Sequence, residues 1–302
     1  MGNNIGELAA LATAFCWTVT GITYQIAGRK IGSTNVNMIR MLIAMALLSM
    51  YGYFAFGSVL PADATRHNII WLSVSGIIGF VIGDLMLFRA YVVIGARVSM
   101  LIMTLSSPIA AIFGWLLIGE TMSALSVAGM LLTMAGIGLV ILEKPNGEAA
   151  SSSTSMTLSY PLKGILLALG GAFGQGVGLV FSKYGIGTLN AVEATQIRAI
   201  AALVGFAVVF TVIGQWSSFR DSIRQVKIVK VVAVGSFFGP FLGVSLSLFA
   251  VQHTSTGIAS TIMSLMPVII IGPSILLFKE KVTAKEILGA CIAVGGVALF
   301  FV

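Results

Sequence analysis

Charge is what this chain has least of. Only 9% of its 302 residues are Asp, Glu, Lys or Arg, whereas soluble domains carry about 25%. A water-soluble globule of this size could not cover its surface with so few charges, so that class is excluded. Cysteine is equally sparse: Cys16 and Cys291 each lie inside an apolar run. Their spacing gives no disulfide framework and no metal site, and both are expected to be inert packing thiols. The two histidines, His67 and His253, fall near loops without convergent partners. A membrane enzyme would need a His, Asp or Ser constellation that the spans do not offer, so no enzymatic activity, metal or cofactor is expected. No phosphate loop is present, because the glycines sit in apolar runs with no adjoining Lys-Ser/Thr. Any driving force is therefore expected from gradients. The opening "MGNNIGELAA" lacks the basic region of a cleavable signal.

What remains is long and apolar. Hydrophobic residues make up 58% of the chain, and mean hydropathy is +1.04. Runs of about 20 apolar residues match a bilayer core of about 30 Å; a transmembrane barrel would show short alternating segments instead. Ten segments are predicted: Ile5–Ala27, Thr34–Phe56, Asn68–Val92, Val98–Ile118, Ser123–Leu142, Leu162–Tyr184, Ala191–Ile213, Ile228–Val251, Gly257–Phe278 and Thr283–Val302. The longest polar stretch, "EKPNGEAASSSTSMTLSYP", falls at the midpoint and reads as a flexible linker. The expected organisation is a first unit over 1–143, a linker over 144–160 and a second unit over 161–302.

The two units repeat each other. "LSSPIAAIFGWLLIGE" (Leu105–Glu120) and "LMPVIIIGPSILLFKE" (Leu265–Glu280) share a proline near the start, an apolar middle and a closing Glu, 160 residues apart. Gly79 and Gly83 match Gly239 and Gly243, and Gly129 matches Gly289, at the same offset; Arg40 matches Arg198 at 158. A repeat of five spans must start on opposite sides of the membrane in its two copies. The fold class expected is therefore an all-α integral membrane protein of ten transmembrane helices, built as two inverted five-helix repeats. Inverted repeats give secondary transporters two opposite-facing states around one central site.

Loop charge sets an orientation. Arg40 and Arg198 lie inside spans, and of the 17 basic residues only Arg66 and Lys183 fall on the side of the termini. The other thirteen, including Arg29, Lys30, Arg220, Arg224, Lys227 and Lys230, fall on the opposite side. The positive-inside rule places that side in the cytoplasm and both termini outside. Basic loops facing anionic lipid also account for the net charge of +7 and pI near 9.6 without a nucleic-acid partner.

These motifs together carry a resemblance. The "P…LLIGE…G" and "P…LLFKE…G" endings, the early Trp-containing helix "FCWTVTGITYQ" and the "IR" pairs at Arg40 and Arg198 resemble the ten-helix EamA members of the drug/metabolite transporter superfamily. Within it the chain looks most like the YddG-type amino-acid exporters. The resemblance covers nearly the whole chain. It implies export of amino acids or related metabolites across a bacterial inner membrane, through a cavity lined by both halves, with no obligate protein partner. One departure stands: family members usually keep their termini in the cytoplasm, with a basic loop between spans 2 and 3. Here that loop, "GSVLPADATRHN", is poor in charge.

Among single residues, Asp84 is the only acid deep in a span. Intramembrane carboxylates face a cavity or a partner. Asp84 is thus a candidate proton carrier or ammonium ligand, or else a structural partner of Arg40 or Arg89; its second-half counterpart is Val244. Arg40 and Arg198 are candidates for charge or coupling roles, against a structural reading in which each neutralises helix-end carbonyls or snorkels. Glu120 and Glu280 read as hairpin anchors and Lys183 as a snorkelling interfacial residue. Rows of glycine in span 6 (Gly170, Gly174, Gly178) and span 8 (Gly235, Gly239, Gly243) signal close helix approach, and Pro240 and Pro273 are candidate kinks. The predicted substrate-binding set is Trp17, Phe80, Asp84, Met103, Ser107, Gln175 and Phe241. A drug or quaternary-ammonium exporter is the alternative, since Asp84 and Trp17 could form a carboxylate and aromatic cage. A sugar-phosphate carrier would need several convergent basic residues at mid-depth, which are lacking.

Overall fold

A computed structural model describes residues 4–142, 161–273 and 284–299. Ten helical segments carry the architecture: α1 (Ile5–Ile31), α2 (Ser33–Phe56), α3 (Arg66–Val93), α4 (Val98–Ile118), α5 (Ala124–Leu142), α6 (Leu162–Ile186), α7 (Ala191–Ile213), α8 (Val226–His253), α9 (Thr256–Pro273) and α10 (Ala284–Ala298). Eight are long and apolar enough to cross a membrane, and α5 and α10 contain the shorter apolar stretches Ala124–Gly136 and Ile287–Ala298. The fold is an all-helical, two-repeat membrane fold. Bilayers leave no water for unpaired backbone groups, which is why the apolar runs among the described residues are helical. The linker and Glu280 lie outside the described residues.

Local chemistry ends the helices where the sequence changes. Gly57 and Gly214 close α2 and α7 in the left-handed conformation, at φ 71° and 67°. Thr65 opens α3 through a capping box with Asn68. Asn68 also donates through Nδ2 to the carbonyls of Gly185 (2.7 Å) and Ile186 (3.1 Å), tying the start of α3 to the end of α6. A short helix, Trp216–Ile223, precedes α8, and Asn35 of α2 reaches Ser218 and Ser222 there at 2.9 Å.

The halves interlock reciprocally. α1 packs on α8 as α6 packs on α3, while α2 meets α7, α4 meets α9 and α5 meets α10. Such exchange of partners is what a two-fold relation between copies requires. Lipid tails are as apolar as the side chains, so helices associate in membranes through close packing. The predicted glycine rows provide it. A Cβ on Gly174 would come 2.7 Å from the Gly83 Cα, and one on Gly178 would come 3.1 Å from the Gly79 Cα. Gly235 and Gly239 face Tyr24 and Thr20 of α1 in the same manner. The most exposed apolar side chains, Phe54 on α2 and Val212 on α7, are each 79% exposed and point outward, as lipid contact demands. Of the two cysteines, Cys16 is buried; Cys291 is exposed on α10, which corrects its expected packing role.

Two irregularities repeat in register. α3 and α8 each contain a π-helical turn, Ile77–Gly83 and Phe237–Gly243. α4 and α9 are each broken by a tight turn, at Thr104–Leu105 and Ser264–Leu265. Within these breaks Ser107 N donates to Thr104 O and Val268 N donates to Leu265 O, at 3.1 and 2.9 Å. Pro108 and Pro267 follow within three residues; neither has an N–H to continue the helical ladder. Pro240 sits inside the turn of α8, and Pro273 is the last described residue of α9. The breaks in α4 and α9 thus belong to prolines other than the two predicted kinks.

Candidate functional site

Two small adjoining cavities of about 30 and 60 Å³ lie between the halves and share six lining residues: Trp17, Phe80, Met103, Gln175, Val244 and Met266. These come one each from α1, α3, α4, α6, α8 and α9, three helices from each half. The irregular turns of α3, α4, α8 and α9 surround this region, so backbone regularity is given up where the halves face a cavity. Broken helices in transporters mark substrate sites in the same way, and π-helical turns cluster at functional sites.

Polar groups are unequally shared between the cavities. In the second, Asp84 (4% exposed) forms an ion pair with Arg40 (3% exposed). Gln175 donates through Nε2 to the other carboxylate oxygen of Asp84 at 2.6 Å and to Gly79 O at 3.3 Å. Arg40 donates through Nε to Asn37 Oδ1 at 3.0 Å, and Asn37 donates to the Asp84 carbonyl at 3.3 Å. Arg40 also stands 4.6 Å from the Phe88 ring centroid. A buried ion pair holds only when its remaining hydrogen-bonding capacity is met, and Asn37 and Gln175 meet it. In the first cavity Arg198 lies over Phe80, with Ser106, Ser247, Ser260 and Ser264 on the same lining.

Of the predicted set, the structure brings Trp17, Phe80, Asp84, Met103 and Gln175 together on the cavity walls, with Arg40 and Arg198 beside them. Ser107 and Phe241 stand off the lining. Ser107 is fully buried and its hydroxyl pairs with Ser264 Oγ at 2.7 Å, joining α4 to α9; the break at Thr104–Leu105 turns Ser106 to the cavity instead. The Phe241 ring packs on Tyr51 and Phe237, and the π-helical turn presents Gly239 and Pro240 to the cavity in its place. Met266 was not singled out by the sequence and Val244 only as the counterpart of Asp84, both being apolar residues without a polar tag in apolar runs.

Glu120 and Lys183, read as an anchor and a snorkelling residue, form an ion pair with each other. Glu120 also accepts from Thr256 N at 2.9 Å and from the Thr256 hydroxyl, and Lys183 donates to Thr254 O at 2.6 Å. The end of α4, the end of α6 and the start of α9 are thereby fastened on the face where α1 begins. Among the described residues, no group of three or more His, Cys, Asp or Glu is placed to hold a metal ion.

Comparison with known proteins agrees with this architecture. An uncharacterized transporter of Archaeoglobus fulgidus is 30% identical over 137 residues, or 45% of this chain. The chain spans about half the length of that relative, the match covering 46% of it. A solved crystal structure is similar over 98% of this chain and 96% of its own, with a TM-score of 0.69 at 15% identity; that likeness is one of fold. The EamA-like transporter family matches twice, over residues 4–142 and 162–302. The chain is a member of the EamA-like transporter family.

Proposed function

We propose that the protein is a secondary transporter that exports amino acids or related small metabolites by alternating access, with broad specificity. The observation that supports this reading is the six-residue ring shared by both cavities, to which each half contributes three equivalent helices. A site so constructed is reachable from either face by rocking one half against the other, along the glycine-lined contacts of α3 with α6 and α1 with α8. The lining is mostly apolar and fixes few hydrogen bonds. Strong discrimination comes from buried polar groups that must be paired, so affinity is expected near millimolar, or about −4 kcal/mol. Export from a cell rich in metabolites tolerates such weak binding. The alternative cargo, a quaternary ammonium, needs a carboxylate free to receive it, and Asp84 is already engaged by Arg40 and Gln175.

The test is counterflow in proteoliposomes. Labelled leucine should enter vesicles preloaded with unlabelled leucine, and other neutral amino acids should compete. Uptake of tetraethylammonium with none of leucine would replace this reading by the alternative.

A further inference from the structure

Equivalent places in the two halves carry unequal chemistry. Arg40 and Arg198 are each the eighth residue of their helices, α2 and α7. Asp84 and Val244 each directly follow the π-helical turn of α3 and α8. In the first half the arginine meets its acid. In the second the place of the acid is taken by a valine.

Arg198 is only 3% exposed. Among the described residues it forms no ion pair, and its Nε is buried without a hydrogen-bond partner. It is not turned away into lipid, because it lines the first cavity with its guanidinium 4.5 Å from the Phe80 centroid. On the same lining, the hydroxyl of Ser260, 4% exposed, is also buried without a partner. A desolvated cation with no anion is costly. Here the cost is carried in the same cavity as an unpartnered hydroxyl, while in the adjoining cavity Arg40 and Asp84 are paired with each other.

We propose that Arg198 and Ser260 form a carboxylate subsite, and that the cargo is recognised by its carboxylate and not by its ammonium. This rests on the transport reading only in taking the cavity as the cargo site. The guanidinium fork matches a carboxylate in bidentate fashion, and the Ser260 hydroxyl supplies a further donor. An apolar body then lies against Trp17, Met103 and Met266. An ammonium finds no unengaged carboxylate on the lining, since both oxygens of Asp84 already accept from Arg40 and Gln175. The cargo class is small organic monocarboxylates with an apolar body. Amino acids belong to it through their carboxylate alone.

The experiment measures binding to the purified full-length protein in detergent, by calorimetry, of leucine, 4-methylpentanoate and leucinamide. The second lacks the ammonium and the third replaces the carboxylate with a neutral amide. Leucine and 4-methylpentanoate should bind within about threefold of each other, and leucinamide at least about tenfold more weakly. Arg198→Gln should remove that preference. Val244→Asp should remove it with the arginine still in place, by giving Arg198 the internal partner that Arg40 has; this variant keeps the question open to refutation if Arg198→Gln folds poorly. Leucinamide binding as tightly as leucine, leucine binding without 4-methylpentanoate, no binding of any of the three, or an unchanged preference in folded Val244→Asp would each overturn the subsite. Liposome flux separates the two readings. Arg198-dependent binding without leucine flux sinks transport of leucine and leaves the subsite, whereas equal flux of leucine and leucinamide sinks the subsite and leaves transport.

Discussion

The guanidinium carbon of Arg198 lies 4.5 Å from the centroid of the Phe80 ring, so a basic residue of the second half rests on an aromatic of the first. Arg40 approaches the same ring at 5.6 Å. One aromatic side chain thus receives a cation from each half. Its electron-rich face favours each of them, yet it cannot neutralise either. Asp84 neutralises one. Arg40, Asp84 and Arg198 together carry a net charge of +1 when all are ionised, inside a membrane-spanning bundle.

That count makes the ion pair indispensable to the fold. Asp84→Asn should leave two buried, uncompensated cations and destabilise the protein by roughly 3 kcal/mol. Adding Arg40→Met should recover much of the loss, because the charge that had lost its partner is gone. Unfolding by sodium dodecyl sulfate in mixed micelles would measure both. Strictly additive losses in this double-mutant cycle would refute the coupling.

The Glu120–Lys183 pair, with side chains 15% and 24% exposed, fastens α4 to α6, and Glu120 also holds Thr256 at the start of α9. It therefore acts as a latch across the halves on one face. Lys183→Met should favour opening on that face by about 1 kcal/mol, which is roughly a fivefold change in population. In a Cys16→Ser, Cys291→Ser background, a cysteine introduced by Ser260→Cys should react about fivefold faster with a thiol reagent applied from the α1-start side. An unchanged rate would show that the pair does not bias the two states.

Loop charge predicts the orientation directly. With Cys16 and Cys291 replaced, Asp63→Cys should react with a membrane-impermeant thiol reagent in intact cells and Gln225→Cys should be protected. Both parent residues are exposed, in loops on opposite faces. The reverse pattern would restore the family's usual cytoplasmic termini.

The sequence was most legible where physics acts on whole segments. The predicted Ala191–Ile213 matches α7 to the residue, and Val98–Ile118 matches the end of α4 while its helix begins two residues earlier, at Ala96, because bilayer thickness fixes run length. The duplication was legible because close helix contacts hold glycines in register. Ser107 and Phe241 were misplaced for a different reason. Each lies at an irregularity, one beside the break in α4 and the other within the π-helical turn of α8, where a local change of winding rotates the side chains that follow. Pro108 and Pro267, at the head of the two matched stretches, were the signal available for the breaks. The Arg40–Asp84 pair was one of two partners considered, and only tertiary packing could choose Arg40 over Arg89. That Arg198 lacks such a partner follows from the single difference between Asp84 and Val244, already visible in the aligned halves.

The two π-helical turns are packed with unequal tightness. Each ends on a glycine facing a carbonyl five residues earlier in the turn: Ile78 O for Gly83 and Phe238 O for Gly243. A Cβ at position 83 would lie 3.2 Å from Ile78 O and 3.4 Å from Gly174, which small shifts can relieve. A Cβ at position 243 would lie 2.6 Å from Phe238 O and 2.9 Å from Trp17 Nε1, a cavity residue. Backbone on one side and an indole on the other leave it nowhere to move. Gly243→Ala should therefore cost more stability than Gly83→Ala, by about 1 kcal/mol or more given the usual cost of overpacking. It should also lower transport by displacing Trp17. Gly138→Ala serves as the control, since a Cβ there meets nothing within 4 Å, and removing a helical glycine should stabilise α5 by up to about 1 kcal/mol. Thermal melting of the three variants, with leucine counterflow alongside, orders them. If Gly83→Ala and Gly243→Ala lose equal stability and equal flux, the two turns are sterically equivalent and the indole contact has no role in positioning Trp17.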